Sequence, residues 1–371
     1  MKKYRFVIVG SGWRSLFFVR IAKALPHLFE VCALLCRTEE KAKRIAEENG
    51  IYTTTSIEEC KAMKPDFVVV AVNKASMTEV SMEWMGYGFT VLCETPAALS
   101  VDALNELWHL HCEGGRLIVA EQYLYEPLCQ AKRKLIDKGL IGERSFLHLS
   151  AAHEYHGASL MRVYLNETAE AAFRVSAKAY TFPTVETLSR YEKITDGRIA
   201  EKARTVATFE FADGKVCVYE FDSEQYRSPI RNNYVKLQGV RGEMKDEAFF
   251  WLDDSNEPRK GRLFSEGRVF TRESENPNLK NGFECQEIRL LQEDVEEEVL
   301  YETAFKGYDL SEEEIAIVTL MLQAAEYDRE QSTKSLQNTL QDAYMAILMK
   351  QAADTGETVA SCEQVWHKGN E

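Results

Sequence analysis

The chain of 371 residues lacks any stretch near the ~20 consecutive apolar residues that a membrane-spanning helix requires, so no bilayer partner is expected. Its basic start, Met1-Lys2-Lys3-Tyr4-Arg5, leads into only four apolar residues, Phe6-Val7-Ile8-Val9, before Gly10. That run is too short for the core of a signal peptide. Cysteine occurs nine times but never as a C-x-x-C pair, and the odd count argues against a disulfide framework or a structural zinc site. No metal is expected, and thiols scattered in this way suit a reducing cytoplasm. Proline and glycine are sparse, at 8 and 20, which excludes collagen-like and low-complexity architectures. Bases are outnumbered, 45 against 59 acids, for a net charge of −14. Such a chain is poorly made for nucleic acid, where phosphate contacts need clustered Lys and Arg.

What remains is an ordinary globular composition, 45% hydrophobic and 28% charged. At roughly 150 residues per domain, the length suits two to three domains. The charge is uneven. Residues 1–125 carry 14 Lys and Arg against 15 Asp and Glu, leaving −13 for the remainder. Between Glu284 and Glu314 stand 12 acids and 2 bases, densest at Glu293, Asp294, Glu296, Glu297 and Glu298. Like charges this close predict a solvated face or a long loop. The less repulsive half is the better place for an anionic ligand.

Strand and helix patterns alternate through the first third. Arg5–Val9 reads as a buried strand, followed by a helical spacing across Leu16, Val19, Ile21 and Ala24. Val31–Leu35 is a second strand, and Glu39–Glu48 a charged helix stopped by Asn49-Gly50. Phe67–Val72 is apolar without alternation, the mark of a strand covered on both faces. Helix Ser76–Met85, strand Thr90–Cys93, helix Val101–Cys112 and strand Leu117–Ala120 complete the series. Five strands separated by helices predict a doubly wound parallel sheet over residues 1–125. After helix Ala131–Lys138 the pattern changes to short alternating runs: Phe146–Leu149, Thr205–Phe211, Lys215–Phe221, Tyr234–Gln238 and Phe249–Leu252. Asp213-Gly214 is a hairpin signal between two of them. With closing helices Glu312–Tyr327 and Leu336–Ala353, residues 126–371 are expected to form an α+β domain on a mostly antiparallel sheet with one wet face.

The sharpest motif is Val9-Gly10-Ser11-Gly12-Trp13-Arg14-Ser15, placed between the first strand and the first helix. Gly10 permits the tight turn, Gly12 lets the backbone approach a pyrophosphate, and free helix N–H groups meet its negative charge. Ser15 stands where a third Gly or Ala is usual and is small enough to keep helix against strand. The end of the second strand ordinarily supplies an acid for the adenosine ribose. Here it reads Leu35-Cys36-Arg37-Thr38, without one. Arg37 and Thr38 suit a 2′-phosphate, which favours NADP over NAD; a solvated arginine at a helix start is the plainer alternative.

These residues resemble the glucose–fructose oxidoreductase, inositol dehydrogenase and MocA family. The likeness runs through the glycine turn, Ala71-Val72-Asn73, Gly88-Phe89-Thr90-Val91-Leu92-Cys93-Glu94-Thr95-Pro96, Lys138-Gly139-Leu140-Ile141-Gly142-Glu143 and Asp354-Thr355-Gly356-Glu357-Thr358-Val359. The resemblance implies a Rossmann domain joined to an open-faced α/β domain. It also implies NAD(P)-dependent oxidation or reduction of sugars, cyclitols or related small polar compounds, and a homodimer or homotetramer formed through the second sheet. Carried onto this chain, it gives Asn73, Glu94 and Gln122 as cofactor neighbours beside Gly10, Ser11, Gly12, Trp13, Arg14, Arg37 and Thr38.

The departures are chemical. The family's Glu-Lys-Pro is Glu94-Thr95-Pro96 here, and the Thr95 hydroxyl is far too weak an acid to replace an ammonium at neutral pH. The family's Asp-x-Gly-x-His-x-x-Asp aligns with Ala152-His153-Glu154-Tyr155-His156-Gly157-Ala158-Ser159, which keeps only the histidine. The Pro-Asn pair and the later His after the fourth strand become Asn73-Lys74 and Met77. His156 is then the remaining proton carrier, because imidazole titrates near working pH. Tyr123 is a candidate helper, Thr95 occupies the lysine's place, and His153, Glu154, Tyr155 and Lys74 are further candidates. The expected activity is hydride transfer to or from a small polar substrate. The alternative is a catalytically impaired cofactor-binding sensor or scaffold.

Overall fold

The computed structural model describes residues 2–189, 192–273, 280–292 and 297–368. It divides into two compact units, Met1–Gln122 with Glu313–Tyr344 and Gln364–Glu371, and Tyr123–Glu312 with Met345–Glu363.

The first unit alternates strand and helix: β1 (Tyr4–Val9), α1 (Trp13–Ala24), β2 (Phe29–Leu35), α2 (Glu39–Asn49), β3 (Thr53–Thr54), α3 (Ile57–Ala62), β4 (Phe67–Val70), α4 (Met77–Gly86), β5 (Thr90–Cys93), α5 (Val101–Cys112) and β6 (Arg116–Val119). Its six strands are parallel in the order β3-β2-β1-β4-β5-β6. This is the doubly wound arrangement the alternation predicts, and its strand order reverses between β1 and β4, the point at whose carboxyl ends sheets of this kind bind ligands. The core explains the apolar runs: Phe6, Val7, Ile8 and all of Phe67–Val70 are fully buried, and the Phe6 and Phe67 rings stack at 5.0 Å. Gly50 ends α2 in the left-handed region at φ +61°, as Asn49-Gly50 signals. The sixth strand, β3, is two residues long and leaves no periodicity to read.

The second unit contains α6 (Pro127–Asp137), β7 (Arg144–Ser150), α7 (Glu154–Leu165), β8 (Phe173–Val185), β9 (Ile199–Phe211), β10 (Val216–Asp222), β11 (Tyr234–Gly239), β12 (Gly242–Lys245), β13 (Ala248–Leu252), β14 (Pro258–Thr271), β15 (Asn281–Gln292) and β16 (Glu298–Glu302). The chain ends with α8 (Glu312–Ala325), α9 (Arg329–Thr355) and β17 (Val359–Ala360). Among the described residues one sheet runs β16-β15-β14-β13-β12-β11-β7-β10-β9-β8-β17, antiparallel except where β7 meets β10. Asp213-Gly214 makes the predicted hairpin between β9 and β10, with Gly214 at φ +92°. The long strands β8, β14 and β15 escape sequence reading. In β8 the buried alternation is confined to Phe173 and Val175, and Ala177–Pro183 are half-buried or exposed, so little of the strand is marked by a buried face. Helix α7 escapes for the opposite reason: ten of its twelve residues are buried, so it shows no amphipathic stripe.

Helix α8 from Glu313 onward and the first part of α9 belong to the first unit. Arg20 meets the buried Glu314 at 3.5 Å, and His111 Nε2 lies 2.9 Å from Thr333 Oγ1.

The acidic stretch is not uniformly solvated. Residues 293–296 lie outside the described residues, while Glu297 and Glu298 pair with Arg289 and Lys138 at the surface. Glu284 and Glu314, by contrast, are buried at 0% and 1% exposure. Burial alone would raise the pKa of Glu284; the N–H groups of Gly307 and Asp309, each at 2.7 Å, and Arg268 hold it below the usual range. This acid ties down a loop. None of the nine cysteines is in a disulfide, and no helix among the described residues is long and apolar enough to cross a membrane. Among those residues no group of three or more His, Cys, Asp or Glu is placed to hold a metal ion.

Candidate functional site

The glycine turn is built as its sequence requires. Gly10 closes β1 at φ +114°, where a Cβ would collide with the Ala71 carbonyl oxygen and stand 2.9 Å from its carbon. Only glycine fits between the ends of β1 and β4. Gly12 is exposed and caps α1 without a side-chain hydrogen bond; a Cβ there would meet nothing within 4 Å. The first turn of α1 holds no acid of its own and no side chain caps it, which leaves its first N–H groups available to an anion. Ser15 is fully buried, its hydroxyl 3.4 Å from the Ala71 carbonyl, and its small size lets α1 approach β4. Ser11 hydrogen-bonds the Cys36 thiol, and the Trp13 indole lies 6.0 Å from the Phe17 ring along α1.

The other residues proposed around this turn fall into two kinds. Arg37 is exposed at the end of β2. Thr38 caps α2, its hydroxyl accepting the Lys41 N–H at 3.4 Å, and Asn73 caps the short turn after β4, its side chain accepting the Ser76 N–H at 3.1 Å. Glu94, 7% exposed, is engaged by a protein cation: Arg14 Nε donates to it at 2.7 Å, and Arg14 Nη1 donates to Glu313 at 2.6 Å. Burial would by itself lower the Arg14 pKa, but Glu94 and Glu313 outweigh it and the guanidinium stays charged. Burial raises the Glu94 carboxyl, against the pull of Arg14. Gln122, also buried, reaches Glu313 at 3.5 Å. Glu313 is the member of this group that sequence reasoning missed, since it sits in an acidic stretch far along the chain and carries no motif. Thr95 follows β5 half-buried, and Lys74 lies in the turn after β4.

In the second unit, Tyr123 and His156 come together, with ring centroids 4.7 Å apart. His156 is 3% exposed and is also packed by Tyr155 at 4.2 Å and His153 at 5.0 Å. His153 caps α7. Two further tyrosines that the sequence did not single out, Tyr219 and Tyr226, hydrogen-bond the turn that starts α7.

Residues 4–122 match the oxidoreductase family with an NAD-binding Rossmann fold. A curated human protein, glucose-fructose oxidoreductase domain-containing protein 2, is 33% identical over 100 residues; the match spans 26% of this chain and a quarter, 25%, of the relative. An oxidoreductase from Agrobacterium radiobacter, solved with NAD+, L-tartaric acid and magnesium, is similar over 96% of this chain and 98% of its own, with a TM-score of 0.61 and 14% identity. An NAD-binding oxidoreductase from Klebsiella pneumoniae covers 98% of this chain and 100% of its own, with a TM-score of 0.62 and 14% identity. At such identities these two establish a shared fold, and they extend it past the matched Rossmann segment. Residues 4–122 therefore belong to the Gfo/Idh/MocA oxidoreductase family, with its NAD-binding Rossmann fold.

Proposed function

We propose that the chain is an NAD(P)-dependent oxidoreductase that moves a hydride to or from a small polar substrate, a sugar, cyclitol or related carbonyl or imine compound. The observation that carries this reading is the turn Gly10–Gly12: a strand end that only glycine can occupy, followed by an uncapped, acid-free helix start with open space before it. These are the features a dinucleotide pyrophosphate needs. When bound, the nicotinamide supplies the hydride chemistry. The protein's own part is to hold and orient. The N–H groups at Gly12, Trp13 and Arg14 would take the pyrophosphate, with Ser11 in the same turn. Asn73, Glu94 and Gln122 would lie along the rest of the cofactor. Arg37, exposed and charged, and Thr38 favour NADP through the 2′-phosphate.

A carbonyl or imine that gains a hydride also needs one proton. We assign that proton to His156 with Tyr123 at its side, because Thr95 cannot carry it at neutral pH. A homodimer or homotetramer through the second sheet and a cytoplasmic location belong to the same proposal. The replacement of the family lysine by Thr95 favours one second reading, a cofactor-binding sensor or scaffold without turnover. Scanning fluorimetry with NAD, NADH, NADP and NADPH tests the cofactor, since a bound ligand raises Tm by mass action. NADPH should give the largest rise, and no rise with any of the four would end the enzymatic reading. His156→Ala should then lose turnover with cofactor binding intact. Binding without turnover by the native chain, with turnover gained in Thr95→Lys on a polyol screen, would favour the sensor.

A further inference from the structure

Within the second unit, one imidazole is fixed between two phenols of very different exposure. His153 Nδ1 contacts the hydroxyl of Tyr226, which is 36% exposed, and Nε2 lies 3.0 Å from the hydroxyl of Tyr155, which is 6% exposed. The Tyr226 oxygen also accepts the His153 backbone N–H at 3.1 Å, so one phenol grips the residue twice. The backbone around the ring is held in a costly shape. Ala152 and Glu154, neither of them glycine, sit at φ +59° and +41°. Tyr219 locks both: its oxygen accepts the Glu154 N–H at 2.9 Å and its hydrogen goes to the Ala152 carbonyl at 2.9 Å. Non-glycine residues at positive φ persist where surroundings over-determine them, and they gather at functional sites. A helix cap needs only one acceptor for its free N–H groups. It does not need an imidazole with both nitrogens engaged.

We propose that Tyr226, His153 and Tyr155 form a proton relay between solvent and the buried ring cluster of His156 and Tyr123. A neutral imidazole suits this task because one nitrogen accepts while the other donates. In the resting state Tyr226 donates to Nδ1, and the Nε2–H donates to Tyr155. Delivery of one proton then balances bond for bond. The Tyr155 O–H breaks as its proton passes to an acceptor at the buried end. The Nε2–H proton restores Tyr155, the Tyr226 proton moves to Nδ1, and Tyr226 takes a proton from solvent water, whose hydroxide passes to the bulk. His153 ends in the opposite tautomer, and the reverse sequence removes a proton from the buried end. The Tyr155 ring is 4.2 Å from the His156 ring and the His153 ring 5.0 Å from it, so the dry end of the relay is packed beside the residues assigned to proton transfer. The proposal rests on that assignment, and His153 is in it a positioning and relay residue.

The test has two arms. The first uses the 15N-labelled full chain without cofactor and reads the imidazole nitrogens, with His153 identified by the signals lost in His153→Gln. The native chain should show the Nε2–H tautomer, and Tyr226→Phe should move the Nδ1 resonance further from the protonated range, because the hydrogen bond donated to it is lost. A native Nδ1–H tautomer, or a spectrum unmoved by Tyr226→Phe, would overturn the relay. The second arm measures kinetics with whatever compound the native chain turns over. Tyr226→Phe should lower kcat about tenfold or more, a fraction of what direct acid–base groups contribute, with KM and dinucleotide affinity within about twofold. An unchanged kcat would overturn the relay while leaving the oxidoreductase reading in place. Should the native chain turn over nothing, that reading fails and the tautomer response alone decides the relay. Melting curves check that each variant folds. Tyr155→Phe, which breaks the dry end, replaces Tyr226→Phe if the latter melts early, and it should shift the Nε2 resonance and lower kcat to a similar extent.

Discussion

The two units carry their chemistry in different materials. In the first, the candidate site is backbone: a turn of three residues, Gly10-Ser11-Gly12, whose conformation and open helix start are written in adjacent letters. In the second, the candidate site is side chain: Tyr123, His153, Tyr155, His156, Tyr219 and Tyr226 meet from four separate segments of the chain. A backbone site is local and legible. A side-chain site exists only once distant strands and helices have packed.

The largest effect expected from this contrast is at Gly10. Gly10→Ala forces a Cβ against the Ala71 carbonyl at a φ that L residues avoid, and should cost about 3 kcal/mol while abolishing dinucleotide binding. Gly12→Ala meets nothing within 4 Å, so it should leave Tm nearly unchanged and weaken binding alone. Paired melting and fluorimetric titration of the two variants check this; equal effects on Tm would break the distinction between a turn that must be glycine and one that only admits a ligand.

In the second unit the matching test is Tyr219→Phe. It strips the hydroxyl that serves the Glu154 N–H and the Ala152 carbonyl, leaving buried groups unpaired at a cost of about 2 kcal/mol. Gly157→Ala should act on the same turn indirectly, because its Cβ would press on the Tyr219 ring, 3.1 Å from Cζ. Denaturant unfolding of both variants measures the cost, and a neutral Tyr219→Phe would show that the strained turn supports itself.

A third effect is carried by pH and sharpens the comparison by probing the first unit away from its turn. Burial, helped by Arg329, lowers His111 to about 4 from an ordinary value near 6.5. Unfolded chains therefore bind a proton that the folded chain refuses between those values. Stability from this group is complete above pH 6.5 and falls as pH drops toward 4, by up to about 3 kcal/mol. His111→Gln should flatten that limb of the stability curve, measured as Tm against pH, and an unaltered slope would remove the assignment. The smallest effect is at the surface. Arg37→Ala should weaken NADPH binding about tenfold, the worth of one charge-assisted contact, and leave NADH binding nearly unchanged. Equal losses would sink the phosphate reading.

Legibility followed the same divide. The strands β1, β2, β4, β5 and β6 are readable because each is a short apolar run with both faces covered, and the helices between them show stops such as Asn49-Gly50. The strand β8 was not, because its side chains are largely exposed and the buried alternation stops after Val175. The Arg14–Glu94–Glu313 network was only half visible: the family likeness pointed to Glu94, but nothing in the letters pointed to Glu313. Likewise the likeness located His156, whereas its neighbours Tyr219 and Tyr226 come from β10 and the turn after it.

By itself the sequence determined the doubly wound sheet and the glycine turn, because hydrophobic period and backbone freedom are properties of neighbouring residues. Only the tertiary structure decided that Glu94 meets Arg14, that Glu284 and Glu314 are buried amid an acidic stretch, and that His153 lies between two tyrosines. Those pairings depend on which elements fold back upon one another, and short-range pattern carries no record of partners that distant.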